Sequence, residues 1–158
     1  MVGVIILKTM NYGDTRKRVL KMTDRYLFRG KRKDTKEWIY GGVYYQKKDA
    51  MKDEAIYIIT GSLSDIACAV EVIPETVGQY IGRSDKNKKK IFEGDILLTD
   101  CWHTLLVVYF DEDYLQFRVR EVVSGRENSI DYYDNSNNVK IEVVGNIYDN
   151  PELLEVQR

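Results

Sequence analysis

The sequence predicts a mainly β protein with two small β regions and short helical pieces. Short runs of β-branched and aromatic residues, the composition typical of strands, recur along the chain. Polar turn segments separate these runs at intervals of about ten residues. Over residues 115–120 apolar and polar residues alternate, as in a strand with one buried face. These observations favour a barrel or a sandwich, and we expect the C-terminal region to be barrel-like.

The first β region is expected over about residues 25–73. Pro74 removes a backbone donor and should end its last strand. Within the second strand, Gly41 and Gly42 predict a bend or bulge. The predicted strands of this region cover residues 25–30, 37–45, 55–60 and 66–73.

The barrel-like region is expected over about residues 74–148. Residues 83–90 are polar and predict a hairpin-type loop, in which Asp85 and Asn87 can bond their own backbone. The predicted strands of this region cover residues 76–82, 96–99, 104–110, 115–120 and 139–143.

The two ends of the chain are expected to lie outside these regions. Residues 1–24 precede the first β region and are expected to be an N-terminal extension. A short C-terminal helix is expected from about residue 150, because Asn150 is a favoured N-cap and Pro151 is tolerated at the first helical position. Leu153 and Leu154 of this helix are expected to cover the core.

Composition favours a folded intracellular protein. The 158 residues are 44% hydrophobic and 31% charged, as in globular chains. No run of about 18 apolar residues occurs, so no membrane span is predicted. The N-terminus lacks the pattern of a secretory signal, so we expect a cytoplasmic location. Cys68 and Cys101 are expected to be free thiols that pack like small hydrophobic residues.

Charge is uneven along the chain, although the net charge is −1. Residues 1–60 hold 14 basic and 7 acidic side chains, whereas residues 61–158 hold 10 and 18. Such asymmetry suits nucleic acid or an acidic partner, or else two halves that solvate each other.

β-Barrel modules bind single-stranded nucleic acid with basic residues that contact phosphates and with neighbouring aromatic residues that stack on the bases. The structural alternative is solvated loops above core aromatic residues. The candidates for nucleic-acid binding are Arg29, Lys31, Arg32, Lys33, Lys36, Trp38, Arg83, Lys88, Lys89 and Lys90.

No catalytic, cofactor-binding or metal-binding residue is predicted. Glu93 and Asp95 could bind a metal or act as acid and base, but the intervening glycine favours a turn that leads into a strand. On a strand, Cys101 and His103 would share a face. The sequence has only one histidine and two cysteines, too few for a Cys/His zinc site, so we expect Cys101, Trp102 and His103 to have a packing role.

Two long motifs carry a family resemblance. Residues 77–96 read VGQYIGRSDKNKKKIFEGDI and residues 143–153 read VVGNIYDNPEL. Together with RGKR at 29–32 and WIYG at 38–41, they resemble the YopX-like proteins of bacteriophages and prophages over about residues 25–154. The resemblance implies an all-β fold, a bacterial host cytoplasm and no catalytic residues to carry over.

The sequence departs from the pattern of that family at two positions. Ile81 stands where threonine is commoner, and Lys88 stands where glycine is commoner. Because glycine permits positive φ, its replacement at 88 implies another turn type, or Asn87 in the left-handed conformation.

These observations lead to one main functional hypothesis and two alternatives. The chain is expected to be a non-enzymatic accessory protein of a phage or prophage that binds a host or phage protein and needs no cofactor. A nucleic-acid-binding β module is the first alternative, and an enzyme or metal-binding protein is the second. A homo-oligomer is compatible with each of them.

Overall fold

The protein is mainly β, as predicted, and its strands form two antiparallel sheets. The computed structural model describes residues 24–47, 53–60, 68–134 and 139–155. Of the expected extension over residues 1–24, only Asp24 is among them, so that prediction lies outside the described residues.

The first sheet contains six strands, and each hydrogen-bonded neighbour is antiparallel. In chain order they are β1 Phe28–Lys31, β2 Trp38–Gln46, β3 Ala55–Thr60, β4 Cys68–Val72, β5 Gly78–Ser84 and β6 Lys90–Phe92. Their order across the sheet is β4-β3-β2-β1-β5-β6.

Strand β2 changes its pairing partner halfway along its length. Residues 38–41 pair with β1, and residues 42–46 pair with β3. Gly41 lies where the two pairings meet, and a Cβ there would lie 2.1 Å from the carbonyl oxygen of Ile59. The close approach of β3 therefore requires glycine at this position.

The first sheet curls until β4 reaches the end of β1. The amide of Ile73 donates to the carbonyl of Lys31 at 2.8 Å, and the amide of Lys33 donates to the carbonyl of Glu71 at 3.1 Å. Ile58 and Val72, the apolar residues inside this curl, are 0% and 1% exposed. The contact pairs backbone groups that would otherwise remain open at the edge strand.

The second sheet contains five strands, with a short helix after its fourth strand. The strands are β7 Asp95–Thr99, β8 Leu105–Asp111, β9 Gln116–Glu121, β10 Glu127–Ser129 and β11 Ile141–Asn146, and the helix is α1 Ile130–Asp134. Their order across the sheet is β10-β9-β8-β7-β11.

The main core lies between this second sheet, α1 and the β5–β6 hairpin. Ile91 of β6 is fully buried in it, and Ile81 of β5 packs against it. The other members are Leu97, Leu106, Val108, Val119, Ile130, Tyr133, Ile141 and Val143. The hairpin therefore contributes hydrogen bonds to one sheet and apolar side chains to the core of the other.

Because the hairpin pairs with β1, the first sheet extends beyond the end that we expected for the first β region. We expected the first region to end near residue 73, but β5 pairs with β1 and β6 pairs with β5. The first sheet thus extends to Phe92. The alternation of apolar residues predicts that a strand exists, but it does not identify the strand's neighbour.

Strands β6 and β10, helix α1 and the 3-10 turn Pro74–Thr76 were not predicted, and the C-terminal helix differs from expectation. Strands β6 and β10 have three residues each and α1 has five, too few for a periodic signal. The C-terminal element is one 3-10 turn, Pro151–Leu154, and Asn150 makes no capping bond. Its Oδ1 instead accepts from the amide of Asn146 at 3.3 Å.

Candidate functional site

Arg29 of β1 lies buried at the junction of the two sheets, where it pairs with Asp95 of β7. Its Nη1 lies 2.5 Å from Oδ1 of Asp95, and its Nη2 donates to the carbonyl of Glu93 at 2.9 Å. The guanidinium carbon lies 4.7 Å from the ring centroid of Trp38 and 5.1 Å from that of Phe92. Arg29 and Asp95 are 6% and 1% exposed, so this is a desolvated ion pair.

Asp95 also closes the turn that enters β7. Its Oδ2 accepts from the amide of Phe92 at 2.8 Å, and Gly94 between them has φ +79°. Burial raises the pKa of Asp95 above its ordinary value, and the charge of Arg29 opposes this only in part. The structure confirms that Glu93, Gly94 and Asp95 form a turn before a strand, with glycine at a positive φ.

Asp149, from the C-terminal motif, joins Lys31 and Trp38 to the end of the second sheet. Lys31 forms an ion pair with it, and Trp38 Nε1 donates to its Oδ2 at 2.6 Å. Partial burial alone would raise the pKa of Asp149. Hydrogen bonds from Asn146, Lys31 and Trp38 nevertheless lower that pKa to about 2, so the carboxylate is charged at neutral pH.

We call these residues, namely Arg29, Lys31, Trp38, Phe92, Asp95 and Asp149, the hub. Three of them were candidates for nucleic-acid binding, and the structure brings those three together. Their polar atoms face acidic groups of the second sheet and its C-terminal turn. Arg29 is 6% exposed and the Lys31 side chain 17%, so the hub cations are mainly directed into the protein.

The other candidates from the first basic patch lie at the end of the β1–β2 hairpin. Arg32 makes two bonds to Asp34, at 2.9 and 2.7 Å, and Lys33 pairs with Glu71 of β4 at 2.6 Å. The bond from Arg32 holds the pKa of Asp34 well below its usual range. Lys36 donates to the backbone carbonyl of Lys33.

The second basic patch lies on the β5–β6 hairpin. Lys90 pairs with Asp24 at 2.8 Å, and Arg83 pairs with a carboxylate of α1. Lys88 and Lys89 are exposed, and they form no ion pair among the residues that the structure describes. Six of the nine candidate cations across both patches are therefore already paired with carboxylates.

Asp85 fixes the loop of this hairpin to β11. Its Oδ1 accepts from the amides of Asn87 and Lys89, both at 2.8 Å. Its Oδ2 accepts from the amide of Val143 at 3.0 Å, and Asp85 is only 7% exposed. The prediction that Asp85 bonds its own backbone is confirmed. Lys88 itself has φ +65°, so the left-handed residue is not Asn87 as one alternative expected.

Cys101, Trp102 and His103 lie in the turn between β7 and β8, so the strand face expected for the first and third does not exist. His103 has φ +51°. Trp102 is stacked on Tyr132 of α1, with ring centroids 6.4 Å apart. We expected Cys101 and Cys68 to pack like small hydrophobic residues, but both are exposed, and neither forms a disulfide among the described residues.

The sequence contained a signal for the hub that residue-by-residue reasoning missed. Phe92 and Asp95 lie in the motif at 77–96, and Asp149 lies in the motif at 143–153. Both motifs carry the family resemblance, yet they were not expected to meet. Arg29 and Asp95 are 66 positions apart, and only the fold brings them together.

A second notable surface lies along one face of β2. Tyr40, Gly42 and Tyr44 alternate along the strand and therefore share a face. The two tyrosines are 51% and 53% exposed, and a Cβ at Gly42 would meet no atom within 4 Å. Tyr57 of β3 lies opposite Tyr44, with ring centroids 6.3 Å apart. We call these four residues the tyrosine notch.

Neither a metal-binding cluster nor a membrane-spanning helix occurs among the residues that the structure describes. Within the described ranges, His, Cys, Asp and Glu side chains do not gather in groups of three or more that could hold a metal ion. In the same part of the chain, every helix is too short or too polar to cross a bilayer.

Comparison with known proteins places these features in a family. The family model described as YopX protein matches residues 27–155, which include the hub and the notch. The crystal structure of protein EF1440 from Enterococcus faecalis is similar, with a TM-score of 0.48, 25% identity, and coverage of 81% of this chain and 96% of that chain. No curated protein matches. The chain belongs to the YopX family.

Proposed function

We propose that this chain is a non-enzymatic protein-interaction module and that the tyrosine notch is its binding surface. The notch itself carries the proposal, because two half-exposed tyrosine rings flank a glycine along one face of a strand. Tyrosine is enriched at protein interfaces, where its ring supplies apolar area and its hydroxyl a hydrogen bond. The space above Gly42 can receive a partner side chain.

The rigidity of the strand that carries the notch supports this proposal. The hub fixes the start of β2 through Trp38, and Tyr40 packs on Phe92 with ring centroids 5.5 Å apart. The other half of β2 is paired with β3 along residues 42–46. A surface that is ordered before binding loses less conformational entropy when a partner binds.

The resemblance to YopX-like proteins of phages and prophages supports a cellular setting for this role. We propose that the chain acts in the cytoplasm of a bacterial host and that its partner is a host or phage protein. The motifs at 77–96 and 143–153 are the residues that support this setting.

Photo-cross-linking in a bacterium tests the notch as a binding surface. A photoreactive phenylalanine analogue at Tyr44 should give discrete adducts, identified by mass spectrometry. Adding Gly42→Glu should abolish them, because the new side chain fills the notch with a charge. The same analogue at Val144, which is 39% exposed on β11, is the control. Adducts that survive Gly42→Glu, or that form equally at Val144, would contradict the proposal.

The two adjacent glycines provide a matched stability control. Gly42→Glu should leave the urea midpoint nearly unchanged, because a Cβ there meets open space. Gly41→Ala should lower the free energy of unfolding by about 1–3 kcal/mol, since its Cβ would lie 2.1 Å from a backbone oxygen. Equal midpoints for both variants would show that the backbone around Gly41 can relax.

Nucleic-acid binding is the second candidate function, and exposed Lys88 and Lys89 are the observation that favours it. The paired cations must break an ion pair before they contact a phosphate. We therefore expect weak binding to a labelled single strand, measured by fluorescence anisotropy. The slope of log K against log salt should be about −1.4, which corresponds to two phosphate contacts. A much steeper slope would show that the paired cations also bind.

A further inference from the structure

Leu115 lies at the end of the turn between β8 and β9. Both its backbone conformation and its exposure to solvent are unfavourable for a leucine. Its φ is +52° and it is 77% exposed. Among the described residues, four non-glycine positions have positive φ, and Lys36, Lys88 and His103 are the other three. Leucine is disfavoured in the left-handed region relative to glycine or asparagine, and it gains little from burial here. Fold stability therefore does not explain a leucine at this position.

The turn that presents Leu115 is held firmly at its base by Asp111. Oδ1 of Asp111 accepts from the amides of Asp113 and Tyr114, at 3.0 and 3.2 Å. Its Oδ2 accepts from Arg118 Nη1 at 2.8 Å, and the Arg118 guanidinium lies 4.6 Å from the ring centroid of Tyr114. The turn and the tyrosine ring are thus positioned before any partner arrives, which reduces the entropic cost of binding.

This turn exposes both apolar and acidic side chains. Phe110, Tyr114 and Leu115 are 41%, 66% and 77% exposed. Glu112 and Asp113 are exposed beside them, and neither pairs with a cation in the described part of the chain. A binding partner that complements this turn would present an apolar side chain with a lysine or arginine on either side of it. We call residues 110–115 the acidic tip.

We propose that the acidic tip is a second protein-binding surface, which takes a basic peptide segment with an apolar anchor residue. The anchor packs on Leu115 and Tyr114, and its basic neighbours pair with Glu112 and Asp113. A strained, exposed leucine on a rigid turn is thereby assigned to recognition. This inference is independent of the tyrosine notch, because it rests on residues of the second sheet alone.

Selection from a random peptide library against the full chain tests the proposal, with counter-selection against Leu115→Asn. Asparagine tolerates positive φ, so this variant removes the apolar side chain and keeps the turn. The enriched peptides should carry an apolar residue flanked by Lys or Arg, and Leu115→Asn should weaken their binding about tenfold or more. Enriched peptides without that pattern, or with unchanged affinity for Leu115→Asn, would overturn the proposal.

Two further variants separate recognition from folding. Leu115→Gly should raise the urea midpoint, because it relieves the left-handed backbone, and should still weaken peptide binding. Val123→Ser removes another apolar side chain, 74% exposed and outside the acidic tip, and should leave binding unchanged. Equal loss of binding in Val123→Ser would overturn the assignment to the tip. Gly42→Glu should bind the peptides normally, which keeps failure at the tip distinct from failure at the notch.

Discussion

Replacing Arg29 with methionine should lower the free energy of unfolding by about 3–5 kcal/mol, the largest effect that we expect of a single substitution. The change leaves the carboxylate of Asp95 buried without its counter-charge and removes a donor to the carbonyl of Glu93. Methionine keeps an apolar stem against Trp38 and Phe92, so the loss reports mainly on the charge. Urea unfolding followed by tryptophan fluorescence measures it, because Trp38 lies in the hub.

The pH dependence of this loss follows from the direction of the Asp95 pKa. That pKa is already raised by burial, and removing Arg29 takes away the charge that opposes the rise. A carboxyl group with a raised folded pKa favours the folded state as pH falls, because the folded state binds more protons. The deficit of Arg29→Met should therefore shrink as pH falls from 7 towards the unfolded value near 3.8.

The double variant Arg29→Met with Asp95→Asn is the control for this prediction. It removes both charges, while the asparagine oxygen can still accept from the amide of Phe92. Part of the stability should therefore return relative to Arg29→Met alone. If Arg29→Met lowers the free energy of unfolding by less than about 1 kcal/mol, the Arg29–Asp95 pair contributes no more than an ordinary surface ion pair. That result would contradict its role at the junction of the sheets.

Replacing Asp85 with alanine should cost about 3 kcal/mol, the second large effect. Three backbone amides lose their acceptor, and that of Val143 is buried. A buried donor left without a partner costs about 1–3 kcal/mol, whereas the two loop amides can reach water in part. Amide hydrogen exchange should accelerate most at Val143, and urea unfolding gives the total.

A matched substitution shows whether burial is the cause. Asp100 also accepts from a backbone amide, that of Lys140 at 3.0 Å, but it is exposed. Asp100→Ala should therefore cost less than about 1 kcal/mol. Similar losses in Asp85→Ala and Asp100→Ala would contradict the view that Asp85 joins the loop to β11.

Long apolar runs were predictable from the sequence, and the shortest elements were not. The strand expected at 55–60 is β3 with the same bounds, because its β-branched residues are flanked by polar segments. The run at 104–110 became β8 over Leu105–Asp111 in the same way. Strand β10, Glu127–Ser129, has little apolar character, so its position depends on pairing with β9.

The candidate site was harder to predict, because the role of each residue depends on contacts with residues that are distant in the sequence. Arg29 and Lys88 are both basic residues beside a glycine or a turn, yet one is buried in the hub and the other is exposed. Nothing local distinguishes them. The difference comes from Asp95, which the fold places against Arg29 from 66 positions away. Sequence patterns report on neighbours along the chain, so they identified Arg29 and Asp95 separately but not the contact between them.

The return of β4 to β1 limits how another polypeptide can engage this protein. Its closing hydrogen bonds occupy backbone groups of residues 71–73, and the β5–β6 loop occupies those of Ile141 and Val143 on β11. Strand addition, in which a foreign segment extends a sheet through main-chain bonds, is therefore blocked at these two places. A partner that approaches there has to recognise side chains, so its specificity resides in residues that single substitutions can alter.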